Sequence, residues 1–304
     1  KSCTQNLNLI AMTGVGGSIK NLLVLADAAG QNSSGYAVGT AGSIHSVLED
    51  LQITGGCVGV EVGGNTNYMN RLHVGGALHS GCGGIRLGHS STSGGTVGAY
   101  IVDTEVNPSG SDYGIKFEDC SGCFLVNTQS NVGSSYGTAI LPAANQSVEF
   151  LFAINSVLGD SNGSDALHID TLAASSSIRA LNFTGSWTAS SSGGNGVYVA
   201  NTGGGTVNGV VFSGHRSLNN HLQGFEVKSG VVDFVIDGGS QGCGNSAIGA
   251  DVANGVLFNT GATGTVRNST FGVTCLGMAA QQGTGIAMAG SIADIIVTGN
   301  DLCG

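Results

Sequence analysis

Eleven ionisable side chains crowd into residues 71–119 of a chain that has few of them: Arg71, His73, His79, Arg86, His89, Asp103, Glu105, Asp112, Lys116, Glu118 and Asp119. Three of the seven histidines and three of the nine lysines and arginines fall there. Asp103 and Glu105 stand two apart, so on a strand both project to one side. His73 is placed near Asp103 by the repeat described below. Two carboxylates with a nearby His or Arg can cleave a sugar polymer by hydrolysis or elimination. Asp103, Glu105 and His73 are therefore the candidate catalytic residues. Arg71, Arg86, Lys116 and Glu118 are candidate substrate-binding residues. The competing reading is that Asp103 and Glu105 only cap a turn.

A sparser group is His215, Arg216, His221 and Asp237, with "SGHRSLNNH" (213–221) read as a turn longer than its neighbours. Long turns on a regular scaffold often carry function. No metal or other cofactor is expected. Cys120 and Cys123 form a Cys-x-x-Cys without the second pair that a zinc site needs, which favours a local disulfide or two buried thiols.

These groups need a scaffold, and the chain repeats a short apolar word. "FLVNTQ" (124–129), "FAINSV" (152–157), "LNFTGS" (181–186), "VVFSGH" (210–215), "FVIDGG" (234–239) and "IIVTGN" (295–300) are examples. Anchored on the last apolar residue, the words fall at Leu25, Ile53, Val74, Val102, Val126, Ile154, Phe183, Phe212, Ile236, Phe271 and Val297, a mean period near 27. Between them recurs a second word such as "GVEV" (59–62), "GIRL" (84–87), "ALHI" (166–169) and "GVYV" (196–199), alternating as a strand does. Strands recurring at one place in a repeat stack like on like into parallel sheets. The expectation is an all-β, single-stranded parallel β-helix of ten or eleven coils, about 50 Å long at roughly 4.8 Å per coil.

The columns of this stack assign faces. The anchors and the residues two before them, such as Tyr100, Phe124 and Phe152, are expected inside. The residues one before point outward: Val24, Gln52, His73, Ile101, Leu125, Ala153, Asn182, Val211, Val235, Thr270 and Ile296. Seven of these eleven are apolar, which marks a covered face and points to burial against other copies of the chain. A loop or terminal segment laid over the stripe is the simpler alternative. One residue after the anchor, small and polar side chains such as Asp103, Asn127 and Asn155 suit a corner. The outward column of the second word reads Glu61, Arg86, Lys116, His168, Tyr198 and Glu226. It is expected to be an open, wet face, and His168 and Tyr198 join the substrate-binding candidates because such side chains suit sugars.

The pattern, closing on "VTGN" (297–300), resembles the right-handed parallel β-helix of the pectate-lyase-like superfamily, which includes pectinolytic enzymes, alginate epimerases and phage tailspikes. The resemblance covers nearly the whole chain and is specific for fold. The polygalacturonase motifs (Asn-Thr-Asp, Asp-Asp, Gly-His-Gly, Arg-Ile-Lys) find no close match, and neither do the Arg-rich strand and calcium carboxylates of pectate lyases. The resemblance then implies a trimeric tailspike or tail-fibre domain that binds host surface polysaccharide, with or without depolymerase activity, on a virion tail or in an extracellular setting. The alternatives are a monomeric secreted lyase or hydrolase and a structural spacer.

Composition agrees with a β-solenoid: 54 Gly, 2 Pro, 41% hydrophobic and 9% charged residues. A net charge of −10 offers no basic face for nucleic acid and disfavours an anionic membrane. No apolar run of membrane-spanning length occurs. Lys1 opens directly into patterned sequence without an apolar leader, so one domain over residues 1–304, excised from a longer chain, is expected. Cys57 and Cys82 lie one coil apart, as do Cys275 and Cys303, so either pair could bridge adjacent coils. An even cysteine count favours an extracellular setting. Thr54, Thr184 and Thr298 are too scattered for an ice-binding ladder.

Overall fold

The computed structural model describes residues 9–26, 35–40, 42–77, 81–89, 95–131, 133–246, 252–272, 282–292 and 294–302. Its strands pair in parallel and stack coil on coil into two long sheets. The first sheet has eleven strands: Ile10–Ala11, Tyr36–Gly39, Val58–Val62, Gly83–Leu87, Tyr113–Phe117, Tyr136–Ile140, Leu167–Asp170, Val197–Ala200, Phe225–Val227, Asn254–Asn259 and Thr284–Ala289. This is the column of second words, with three rungs that the sequence reading passed over: Ile10–Ala11, Tyr136–Ile140 and Asn254–Asn259. Of these, "GVLF" (255–258) carries the second word itself, and only Tyr136–Ile140 has its alternation broken, by Gly137 and Thr138.

Alternation within this sheet fills the core. Val38, Val60, Ile85, Ile115, Leu167, Val197, Phe225 and Val256 lie in register on one inward column and are fully buried. Phe117, Phe183, Phe212, Phe234, Phe258 and Phe271 are also fully buried. Each such side chain stabilises the fold by about 2–3 kcal/mol.

The second sheet bends at a sharp corner in every coil. Successive corner residues are Asn21, Asp50, Arg71, Asp103, Asn127, Asn155, Gly185, Gly214, Gly238, Asn268 and Gly299, and all eleven have positive φ, between 47° and 65°. Gly, Asn and Asp tolerate this left-handed conformation best, which explains the column's composition. Most of these N–H groups donate to a carbonyl one coil further on, as Asp103 N does to Val126 O and Asn127 N to Ile154 O. Just past the corner, buried hydroxyls of Thr104, Thr128, Ser156, Ser186 and Ser240 form a polar ladder. All but Thr128 accept backbone N–H groups across coils, as Ser156 Oγ does from Thr128 N at 3.2 Å, and Thr128 Oγ1 donates to Ile101 O at 3.0 Å.

The corner corrects the expected faces. In the words near residues 100, 124 and 152, the third apolar residue is followed at once by the corner. In those near 183, 212 and 236, one more residue intervenes. Phe152 therefore pairs with Asn182, and Ala153 with Phe183. A one-residue slip exchanges inside and outside. Val24, Ile101, Leu125 and Ala153, expected on the outer stripe, are core. Tyr100, Phe124 and Phe152, expected in the core, point outward, joined by Tyr68. Their rings stack at centroid distances of 4.9, 4.9 and 5.1 Å. Asn182, Val211, Val235, Thr265 and Ile296 continue this outer column. In the first coils the words lie beyond the corner instead, and Leu23 and Leu25 are exposed.

Cys57 and Cys82 are joined across adjacent coils with Cα atoms 4.9 Å apart. Cys120 is linked to Cys123. The expected pairing of Cys275 with Cys303 lies outside the described residues.

Candidate functional site

Beyond the corner, the second sheet presents one column along the rod that faces outward except at the buried Val157. Gln52, His73, Glu105, Gln129, Val157, Trp187, Arg216 and Gln241 succeed one another in register. Between this column and the corner residues lie two recesses. The first, about 440 Å³, is lined by Arg71, Asp103, Thr104, Glu105, Asn127 and Gln129. The second, about 470 Å³, is lined by Asn155, Gly185, Ser186, Trp187, Gly214, Arg216 and Leu218. Together they occupy six consecutive coils. Five steps of roughly 4.8 Å make this a path of about 24 Å parallel to the rod axis.

The first recess assembles the candidate catalytic group. His73 Nδ1 lies 3.1 Å from Glu105 Oε2, and both side chains are half-exposed. Glu105 also accepts from Asn107 Nδ2. Asp103 occupies the corner with φ 47°, and its Oδ1 accepts from Asn127 Nδ2 at 2.7 Å. Asp103 thus holds a turn, as the competing reading had it, while lining the same recess as Glu105. Arg71 turns to the opposite coil: its Nε meets Asp50 Oδ1 at 2.6 Å and its Nη2 meets Glu49 Oε1 at 2.8 Å. These bonds, with Lys20 on Glu49, hold both carboxyls below their usual range.

The remaining candidates sit elsewhere. Arg86, Lys116, Glu118, His168 and Tyr198 belong to the outer side of the first sheet. That face is far less open than the sequence reading had it. Glu61, Arg86, Glu118 and Glu226 are all buried, and His168 nearly so. Arg86 Nε donates to Glu61 Oε2 at 2.7 Å. Burial works to raise the Glu118 carboxyl, but hydrogen bonds from His89 and Lys116, each 2.6 Å long, bring it down to about 2. His168 stacks between Tyr136 and Tyr198, at 4.4 and 4.8 Å, and its Nδ1 lies 2.7 Å from Asp165 Oδ2. Asn195 Nδ2 bridges Asp165 and Glu226 at 3.0 and 3.1 Å. Burial, with Asp170, Glu226 and Asp165 nearby, pushes the Tyr198 hydroxyl up to about 12. Such a paired and buried network locks the face, and the cavity of about 430 Å³ beside Tyr198 and Lys228 lies at its edge.

The second sequence group also divides. His215 is wholly buried against Phe212 and Phe225, and burial lowers its pKa to about 3. Arg216 is exposed on the short strand Arg216–Leu218, so the expected long turn is a corner and a strand. Trp187 was missed by sequence reasoning. Its signal was its uniqueness, being the only Trp of the chain. Among the described residues no cluster of three His, Cys, Asp or Glu could hold a metal, and no helix is long and apolar enough to cross a membrane.

This geometry defines the chain as a parallel β-helix with an axial groove at one corner. Its fold is similar to that of the Dettilon tailspike protein gp208, with a TM-score of 0.60 at 12% identity over 91% of this chain and 54% of the tailspike. The chain thus spans about half the length of that protein. Lower similarity is found to the Streptococcus pneumoniae surface protein and adhesin PfbA (TM-score 0.48, 9% identity, 88% of this chain and 69% of that one). It is found also to tailspike gp49 of Acinetobacter baumannii bacteriophage Fri1, a capsular polysaccharide depolymerase (TM-score 0.43, 11% identity, 88% and 52%). No family model matches the sequence. No curated protein matches it either.

Proposed function

We propose that the chain is a tailspike-type receptor-binding domain that holds host surface polysaccharide along the corner groove. The observation that carries this reading is the alignment of the two recesses on six consecutive coils. An extended polymer laid along the axis meets one corner residue per coil, with side chains at Asp103, Asn127 and Asn155 and bare backbone at Gly185 and Gly214. The wall offers an aromatic ring, amides, carboxylates and a guanidinium, the mixture that sugar hydroxyls and ring faces require. The setting is a virion tail or another extracellular surface. The test is binding of capsular and lipopolysaccharide glycans to the wild-type chain and to Gln129→Ala plus Trp187→Ala. A polysaccharide retained by the wild type and lost by the double variant supports the reading. Retention by both removes the groove from it.

The assembly we propose is a homotrimer. Tyr68, Tyr100, Phe124 and Phe152, flanked by Val102, Val126 and Ile154, leave a stacked apolar ridge on one outer face. Their ring faces are occupied by one another, so the edges remain for a partner. A second or third copy in parallel repeats at the same spacing.

A second reading, a polysaccharide lyase or glycoside hydrolase, is favoured by the His73–Glu105 contact beside Asp103. In it Glu105 is the acid at the glycosidic oxygen or the base at the ring carbon, His73 orients it through the 3.1 Å contact, and Asp103 lines the same recess. Glu105→Gln abolishes depolymerisation while leaving glycan binding intact if this reading holds. Unchanged product release by that variant excludes it.

A further inference from the structure

We infer that the recess between Trp187 and Arg216 is a subsite for an acidic sugar, a hexose carrying a carboxylate, within the glycan path proposed above. The corner column carries side chains at Arg71, Asp103, Asn127 and Asn155, then loses them at Gly185 and Gly214. Three successive coils, at Gly185, Gly214 and Gly238, thus present bare backbone at the corner, and the recess of about 470 Å³ opens at the first two. Its wall is Trp187, more than a third exposed, followed in the next rung by Arg216. An indole face takes the apolar C–H face of a sugar ring. A guanidinium presents a planar fork of donors that fits a carboxylate with two parallel bonds.

Arg216 is one of two described cations, with Arg179, that no ion pair holds, and it alone of the two lines a recess on the corner path. With 19 acidic and nine basic residues, cations find partners easily. Arg71, Arg86 and Arg267 are each held by a carboxylate at 2.9 Å or less. Arg216 takes part in no ion pair among the described residues. Asp237, on the next coil, is engaged by Arg267 at 2.9 Å. An exposed, unneutralised guanidinium beside the only Trp, over a floor without side chains, therefore selects a ligand that brings its own negative charge. The net charge of −10 is not opposed to this, because charges beyond about 8 Å are screened at physiological salt.

The single Trp makes the site report on itself. Emission of Trp187 is followed during titration with polygalacturonate, hyaluronan and alginate, and with the carboxyl-reduced form of each. Calorimetry with the same six polymers records total binding. The inference expects a saturable emission change with at least one acidic polymer, absent with its reduced partner. Arg216→Gln weakens that binding tenfold or more, Arg216→Lys restores part of it, and neither shifts the melting temperature. It is overturned if emission is unmoved by all acidic polymers, if reduced forms act equally, or if Arg216→Gln binds as the wild type does. Calorimetric binding with silent Trp187 leaves the groove reading standing and removes this subsite alone. Absence of any binding counts against both.

Discussion

At the corner, single residues decide the path of the chain. Asn127 has φ 49° and donates to Asp103 one coil away. Asn127→Val places a β-branched side chain in the left-handed region and deletes that bond, so chemical denaturation should show a loss of about 2 kcal/mol or more. Asn127→Gly should cost less than 1 kcal/mol, because it loses the bond but relieves the backbone. His215 interrupts the buried hydroxyl ladder between Ser186 and Ser240. Its ring packs on Phe212 and Phe225, its Nε2 lies 3.3 Å from Thr188 Oγ1, and its Nδ1 has no partner. The folded state holds it neutral, with a pKa near 3 against an ordinary value of 6.5. A lowered histidine pKa stabilises the fold above 6.5 and withdraws that stability as pH falls toward 3. By pH 4 the loss is about 3 kcal/mol. His215→Phe should flatten the urea midpoint between pH 6.5 and 4. An unchanged slope assigns the acid sensitivity elsewhere. Glu118 acts in a lower window, since its carboxyl is depressed to about 2. Its contribution is present above pH 4.5 and lost as pH falls from there to 2.

For the strands, the lesson concerns where a repeat is anchored. The repeat, its parallel stacking and the second-word column were legible because apolar alternation at a fixed period is a strong signal. Faces were not, because the last apolar residue is a poor ruler. "FAIN" reaches its left-handed corner at Asn155 directly after Ile154, whereas "NFTG" inserts Thr184 before Gly185. Aligning the words on Asn, Asp or Gly, the residues that tolerate positive φ, would have put Phe152 opposite Asn182. The candidate groove was half legible. His73, Asp103 and Glu105 are ionisable residues close together in sequence, so spacing picked them out as candidates. Trp187 and Arg216 come together only through the pairing of neighbouring rungs. The substrate candidates on the first sheet were misjudged as exposed, because burial of Arg86 and Glu118 depends on ion-pair partners brought from adjacent coils. The corrected faces carry a prediction. Phe124→Asp, on the outer ridge, should leave the fold intact within about 1 kcal/mol, whereas Phe212→Ala, in the core, should cost roughly 3–5 kcal/mol. Equal losses would return Phe124 to the core.

On the scale of the whole rod, two faces divide the proposed work: a corner groove for glycan and an aromatic ridge for assembly. Light scattering distinguishes a trimer of about 90 kDa, three times 30.1 kDa, from a monomer. Tyr100→Asp with Phe124→Asp should lower the mass to that of the monomer, and a wild-type monomer would contradict the trimer. The groove is tested most directly by hydrogen exchange with and without a glycan that the chain retains. The account predicts protection confined to the strands and corners flanking the groove, at residues 71–75, 103–109, 127–131, 155–160, 185–189 and 214–218. Protection on the first-sheet strands instead, or at the ends of the rod with none at the corner, would contradict it.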